Sequence, residues 1–323
     1  MTPLVYMQTG FWDKLASDTS REGFRTMLDV SDVLSNSDVI TDAPEELIRK
    51  DTFLMVMIRQ GNYHRCDSNY INKKVEGLNT SSDTTDLCAT YMLDKSPMLC
   101  DGYGVQYGVL AMSADGLWKK RFLFKGDGFN LEKNLIYQNG YKGFSRQLQH
   151  PCNSMVVIDP YILTDKSNIS NNLINLLDAM LPTQSQVTFH ILIISVLGDP
   201  EKNIVYNIND IFDDIDKGIK GIRPKLSSFS LCLFSILKGG AFHRRLVLTN
   251  NVMADFADGI NLFNGDKRST KNTTVDIVHH NLIGNDRQDL AKYNLWINIV
   301  KEQVSKAPDL CICGKKENRL LEL

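Results

Sequence analysis

The chain has 323 residues, 43% hydrophobic and 23% charged, with a formal net charge of −2. That is the composition of an ordinary globular protein with room for two domains, and it supplies no global attraction to nucleic acid or acidic membranes. No run approaches the roughly 20 apolar residues of a membrane span, and seven scattered cysteines fit a reducing cytoplasm better than a disulfide framework.

In chain order, Leu4-Val5-Tyr6-Met7 reads as an opening strand and residues 11–15 as the start of a helix. No signal-peptide pattern of basic residues before an apolar core precedes them. Asp42-Ala43-Pro44-Glu45-Glu46 is a helix start with Asp42 as cap, and the apolar run 53–58 continues that helix. Residues 67–86, rich in Asn, Ser, Thr and Asp, read as a loop. Residues 91–93 and 107–112 read as two further strands. Residues 118–125 interleave bases with aromatics, a pattern shared by amphipathic surface strands and base-stacking platforms.

Glycine-rich residues 126–145 read as a linker, which sets an N-terminal domain at 1–125. A second domain is expected at 146–306, with a tail at 307–323. In it, Ser154-Met155-Val156-Val157-Ile158 is a continuous apolar strand ended by Asp159-Pro160-Tyr161. A helix follows at 169–181, a strand at 187–196, a helix at 207–220, strands at 228–236 and 241–249, and a closing helix at 286–306. Strands alternating with helices predict an α/β fold: a mixed sheet flanked by helices, beside a separate, smaller α/β N-terminal domain.

The chemistry gathers at Phe242-His243-Arg244-Arg245-Leu246. As part of a strand, alternation would project His243 and Arg245 from one face. Arginine forks onto phosphate or carboxylate oxygens, and histidine donates, accepts or attacks, so the pair suits an oxyanion. The structural alternative is Arg245 paired with an aspartate and His243 with backbone. Between Lys217 and Arg245 stand seven basic residues, Lys238 and Arg244 among them, and no acidic one. That stretch is either a solvated face or a phosphate-directed surface. Ligands of such sheets collect at strand ends, where Asp159 and His243 meet if their strands are neighbours.

Three blocks carry a resemblance across residues 154–283. Ile158-Asp159-Pro160-Tyr161-Ile162 is followed by His243-Arg244-Arg245 with Asn250 and Gly259-Ile260-Asn261-Leu262-Phe263. The third is Thr273-Thr274-Val275-Asp276-Ile277-Val278-His279. Together they resemble the phospholipase-D-like C-terminal domain of MIT-domain-containing protein 1 and its bacterial relatives. The resemblance implies a phospholipase-D-like module that recognises a phosphate-bearing ligand, nucleic acid among the candidates, and acts as a homodimer. It also implies His243 as nucleophile, with Arg245 and Arg244 on the phosphoryl oxygens and Lys238 beside them. Asn250 stands where a carboxylate belongs, and Asp159 or Asp276 is the stand-in. Arginine for lysine and asparagine for aspartate make the motif degenerate, so binding is expected ahead of phosphodiesterase or nuclease activity, with a purely structural protein as the third possibility. By fold-level analogy, bacterial relatives suggest a defence or mobile-element system.

Residues 4–12 are similar to the opening of PIN-like nuclease domains, which place an acidic residue at the first strand's end to hold a metal. Gln8 occupies that place here. Glu45, Glu46, Asp51, Asp86 and Asp94 are the remaining carboxylates, and a domain without a metal site is expected. Cys311-x-Cys313 and His279-His280 lack the second pair of a zinc site, so no metal or cofactor is expected.

Overall fold

Strands buried on both faces must lie between layers of helix, and the N-terminal strands are of that kind. In a computed structural model of the chain, residues 2–51, 54–55, 62–81, 84–115, 129–130, 140–141, 151–226, 228–237, 242–256, 259–264, 267–268, 277–281 and 287–322 are described. They divide into two units, Met1–Gly126 with Asn281–Ala291 and Asp127–His280 with Lys292–Leu323.

The first unit holds β1 (Leu4–Met7), β2 (Asp38–Thr41), β3 (Asn62–Arg65), β4 (Thr90–Leu93) and β5 (Leu110–Ser113). Their order is β3-β2-β1-β4-β5 and every pairing is parallel. Parallel neighbours need crossovers. These are α1 (Thr9–Ser17) and α2 (Arg21–Ser35), α3 (Glu45–Lys50), α4 (Tyr70–Glu76), α5 (Thr84–Cys88) and α6 (Pro97–Tyr107). Phe11, Trp12 and Leu15 of α1 pack with Val30, Val33 and Leu34 of α2 onto Val5, Met7, Met92, Leu110 and Met112. The strand order switches sides between β1 and β4, and the C-terminal ends flanking such a switch are where ligands of parallel sheets collect.

Three expectations for this unit are corrected. Residues 67–86 contain two helices; in α4, Ile71 and Val75 one turn apart are buried beneath a polar exterior. Helix α3 stops at Lys50 with Pro44 at its N-cap, because Asp51 turns extended and Asp42 is engaged elsewhere. Residue 107 ends α6, and its strand begins three residues later. The aromatic and basic stretch 118–125 lies outside the described residues.

The second unit carries a mixed sheet of β6 (Phe129–Asn130), β7 (Ser154–Ile158), β8 (Phe189–Ser195), β9 (Phe229–Ser235), β10 (Leu246–Thr249), β11 (Val252–Phe256), β14 (Ile277–Asn281) and β15 (Ile312–Gly314). The order is β15-β9-β8-β7-β10-β11-β14-β6. A small ribbon, β12 (Phe263–Asn264) with β13 (Lys267–Arg268), stands apart. β7, β8 and β9 are parallel; β10 runs antiparallel to β7, and β11 to β10. Helix α7 (Ile174–Met180) continues a single π turn at Ile169–Leu173. In α8 (Ile208–Ile222), Ile211, Ile215 and Ile219 recur every four residues and are all buried, which makes one apolar stripe. Helix α9 (Arg287–Lys306) buries Ile297, Val300 and Val304. The fold is therefore α/β, and among the described residues the two larger sheets are each flanked by helices.

Two expectations are corrected here as well. The strand expected from residue 241 begins at Leu246, so His243 and Arg245 stand in the segment entering β10 and not on a strand face. The segment 307–323 is no tail. Ile312, Cys313 and Gly314 pair with Phe234, Leu233 and Cys232 of β9, and Asn318, Leu320 and Leu321 are buried. Within residues 126–145, Tyr141 belongs to the core of this unit, where its hydroxyl bonds the Ile260 carbonyl and Asn172 Oδ1.

Candidate functional site

Antiparallel pairing decides what meets at the end of β7. Leu246 lies opposite Ile158 and Val247 opposite Val157. The next residue on each strand, Asp159 leaving β7 and Arg245 entering β10, therefore meet at the same end of the sheet. The Arg245 carbonyl accepts from Phe256 N at 2.8 Å, which ties the entering segment to β11 as well. Phe242 anchors its start, buried edge-on against Phe234 with ring centroids 6.3 Å apart.

Asp159 is fully buried. Its Oδ1 accepts from Tyr161 N at 2.8 Å and its Oδ2 from Ile260 N at 2.7 Å. The second bond closes the turn at Gly259, whose φ of 108° belongs to glycine; a Cβ there would also stand 2.9 Å from Asn261 Oδ1. Burial raises the Asp159 carboxyl above the ordinary aspartate range, while the backbone donors of Ile260 and Tyr161 and the charge of Arg245 pull the other way. Asp159 thus fixes the local backbone at the end of β7, where the charge of Arg245 acts on it.

The Arg245 guanidinium carbon sits 5.2 Å from the centroid of the Tyr161 ring, and Tyr161 is 40% exposed. His243 is exposed, and its ring meets that of Trp296 on α9 at 6.2 Å and 64°, edge to face. Arg244 points elsewhere: it is ion-paired with Asp255 Oδ2 at 3.1 Å, with its side chain 57% exposed. The cluster therefore reads ring, cation, imidazole, ring, with His243 and Tyr161 exposed and Arg245 and Trp296 half-buried.

Of the sequence-derived residues, the fold brings Asp159, His243 and Arg245 to one end of the sheet. It does not bring Asn250. The four residues of β10 separate Asn250 from Arg245, which is more than about 13 Å of strand. At that far end, Asn250 Oδ1 accepts from Asn153 N at 3.0 Å and Ser154 N at 3.2 Å, so it holds the beginning of β7. Asp276 and Lys238 lie outside the described residues. Tyr161 and Trp296 were missed as site residues. Tyr161 had a signal, two places after Asp159; Trp296, more than fifty residues from His243 in the chain, had none.

Of the described basic residues between 217 and 245, Lys217 and Lys225 are exposed, while Lys220, Arg223 and Arg244 have partners within the fold. Lys220 pairs with Asp216 at 2.6 Å, and Arg223, nearly buried, binds Asp178 and the carbonyls of Leu181 and Pro182. Among the described residues no group of three or more His, Cys, Asp or Glu is placed to hold a metal ion. Cys313 belongs to β15, where its thiol donates to Asn209 Oδ1 at 3.3 Å and burial raises its pKa.

In the first unit, Gln8 and the acidic residues singled out from the sequence have other duties. Gln8 Oε1 accepts from Asp94 N at 2.8 Å, and its amide donates to Asn72 Oδ1 at 3.1 Å. Asp42 caps α1, accepting from Thr9 N at 2.6 Å and Thr9 Oγ1 at 2.8 Å. Asp51 accepts from the Trp12 indole at 2.9 Å, and Asp94 pairs with Lys14 at 2.6 Å. Buried Asp86 takes the Tyr6 hydroxyl at 2.6 Å and Lys74 at 2.7 Å. Glu45 pairs with Arg49 on the surface of α3, and Glu46 is exposed. Apart from exposed Glu46, these carboxylates bind their own fold.

Comparison of the chain with models of protein families, with curated proteins and with solved structures finds no match in any of the three.

Proposed function

We propose that the β7–β10 end of the second unit is the phosphate-recognition site of a phospholipase-D-like module that binds its ligand without turning it over. The observation that carries the reading is the Arg245 guanidinium stacked on an exposed tyrosine beside an exposed histidine. Stacking restricts the long side chain before a ligand arrives, so less rotamer entropy is lost when its N–H fork closes on phosphate oxygens. His243, two residues away, adds a second donor.

The same geometry argues against turnover. A histidine nucleophile needs a carboxylate on its second nitrogen to hold the tautomer and to stabilise the imidazolium. Among the described residues no carboxylate reaches His243. Asn250 stands at the other end of β10, and Asp159 is held by Tyr161 N and Ile260 N. One histidine–arginine pair per chain also means that a two-motif site would require a second copy, so a homodimer is part of the proposal.

The test is equilibrium binding of pyrophosphate and of a labelled oligonucleotide over a salt series, for the parent chain, Arg245→Ala and Arg245→Lys. Arg245→Ala is expected to weaken binding about tenfold or more and to flatten the salt dependence. Equal binding by parent and variant refutes the reading. Cleavage of a phosphodiester reporter that disappears in His243→Ala would replace it with a hydrolase.

A further inference from the structure

The cluster is richer in rings than in cations, and that asymmetry says what kind of phosphate ligand fits. Arg245 is stacked on Tyr161, while Arg244 is neutralised by Asp255. The charge of Arg245 also acts on Asp159 at the end of β7. Two cations so placed would hold an inorganic phosphate weakly. They fall short of the four to eight clustered basic residues with which proteins settle on anionic lipid. A duplex grips many phosphates at once and asks for a broad basic surface, whereas in α8 and the turn after it Lys220 and Arg223 are paired within the fold, which leaves exposed Lys217 and Lys225 there.

What is abundant is planar surface. Tyr161 is 40% exposed, Trp296 is partly exposed edge-on to His243, and the neighbouring Leu295 is 57% exposed. From Tyr161 through Arg245 and His243 to Trp296 the order is aromatic, guanidinium, imidazole, aromatic, within contacts of 5.2 Å and 6.2 Å at its two ends. Where charge is scarce, affinity for a nucleic acid must come from bases stacking on rings, and only an unpaired strand presents its base faces. We infer that the ligand of this site is single-stranded nucleic acid, with Arg245 and His243 on one phosphate and the rings of Tyr161 and Trp296 against the bases on either side of it. The inference rests on the phosphate-recognition reading above and narrows it to one class.

The decisive probes are a short oligothymidylate, the same phosphodiester backbone without bases, a duplex of equal length, and phosphatidylserine vesicles. The single strand is expected to bind about tenfold or more tighter than the base-free backbone. Trp296→Ala should remove most of that difference, and Trp296→Phe should keep it. Arg245→Ala should weaken both strands alike, and thermal melting of each variant controls for folding. Equal binding of base-bearing and base-free strands overturns the inference while phosphate recognition stands. Tighter binding of the duplex or the vesicles overturns it too. If no phosphate-bearing probe binds and Arg245→Ala changes nothing, the underlying reading falls with it.

Discussion

Two sheet ends in this chain carry similar residues and use them differently. At the C-terminal edge of the first sheet, Gln8, Asp42, Asp51 and Asp94 each meet a donor from the same unit, and the interior Asp86 meets Tyr6 and Lys74. At the β7–β10 end of the second sheet, the buried carboxylate of Asp159 is likewise held from within, but an exposed histidine and a tyrosine that is 40% exposed flank the half-buried Arg245. Charged residues at strand ends therefore do not define a site. What distinguishes the second sheet end is that its arginine stands among side chains that keep a face toward solvent.

The comparison can be broken most sharply at Asp86. Asp86→Ala leaves the Tyr6 hydroxyl and Lys74 without their acceptor, and it should cost about 3 kcal/mol by chemical denaturation, with phosphate binding in the second unit unchanged. Next in size is a pH effect at His190 on β8. Burial, and then the charges of Arg319 and Lys315, lower its pKa from 6.5 to about 4. The unfolded chain takes up this proton near pH 6.5 and the folded one only near 4, so stability falls as pH drops through that window. The loss is about 3 kcal/mol at most, less what solvent screens around a partly exposed ring, and His190→Gln should flatten the melting profile between those pH values.

Asp159→Asn should cost about 1–3 kcal/mol, because an amide cannot accept at both of the oxygen positions that now serve Tyr161 and Ile260. Asp42→Ala removes the cap of α1 and should cost about 1 kcal/mol in the same assay. Smallest in stability is Arg245→Ala, within about 0.5 kcal/mol of the parent as befits a partly exposed side chain. Its effect belongs to ligand affinity. A melting loss as large as that of Asp86→Ala would make Arg245 chiefly a structural residue and erase the contrast.

Much of the frame was legible because apolar runs report burial directly. Leu4–Met7, Ser154–Ile158, Phe189–Ser195 and Phe229–Ser235 lie where the sequence pattern puts strands. The neighbouring of Asp159 and the His243–Arg245 segment also follows, once β7 and β10 are known to pair. Helix α4 was hidden because Ile71 and Val75 are diluted by asparagine and lysine, so composition pointed to a loop. Asn250 was misplaced because motif spacing says nothing of the strand that intervenes. Trp296 could not be found at all, since its meeting with His243 depends on how a distant helix docks. The last strand escaped for a different reason: three residues are too few to show a period.

That short strand has a consequence of its own. Without Ile312–Gly314, the outward edge of Phe229–Ser235 would offer a bare ladder of amides and carbonyls flanked by Leu231, Leu233 and Phe234, a template on which another chain could polymerise. The seal depends on Gly314, where φ is 92° and a methyl group would fall 2.1 Å from the Leu231 carbonyl oxygen. One hydrogen in place of a side chain thus stands between a sealed sheet edge and a sticky one.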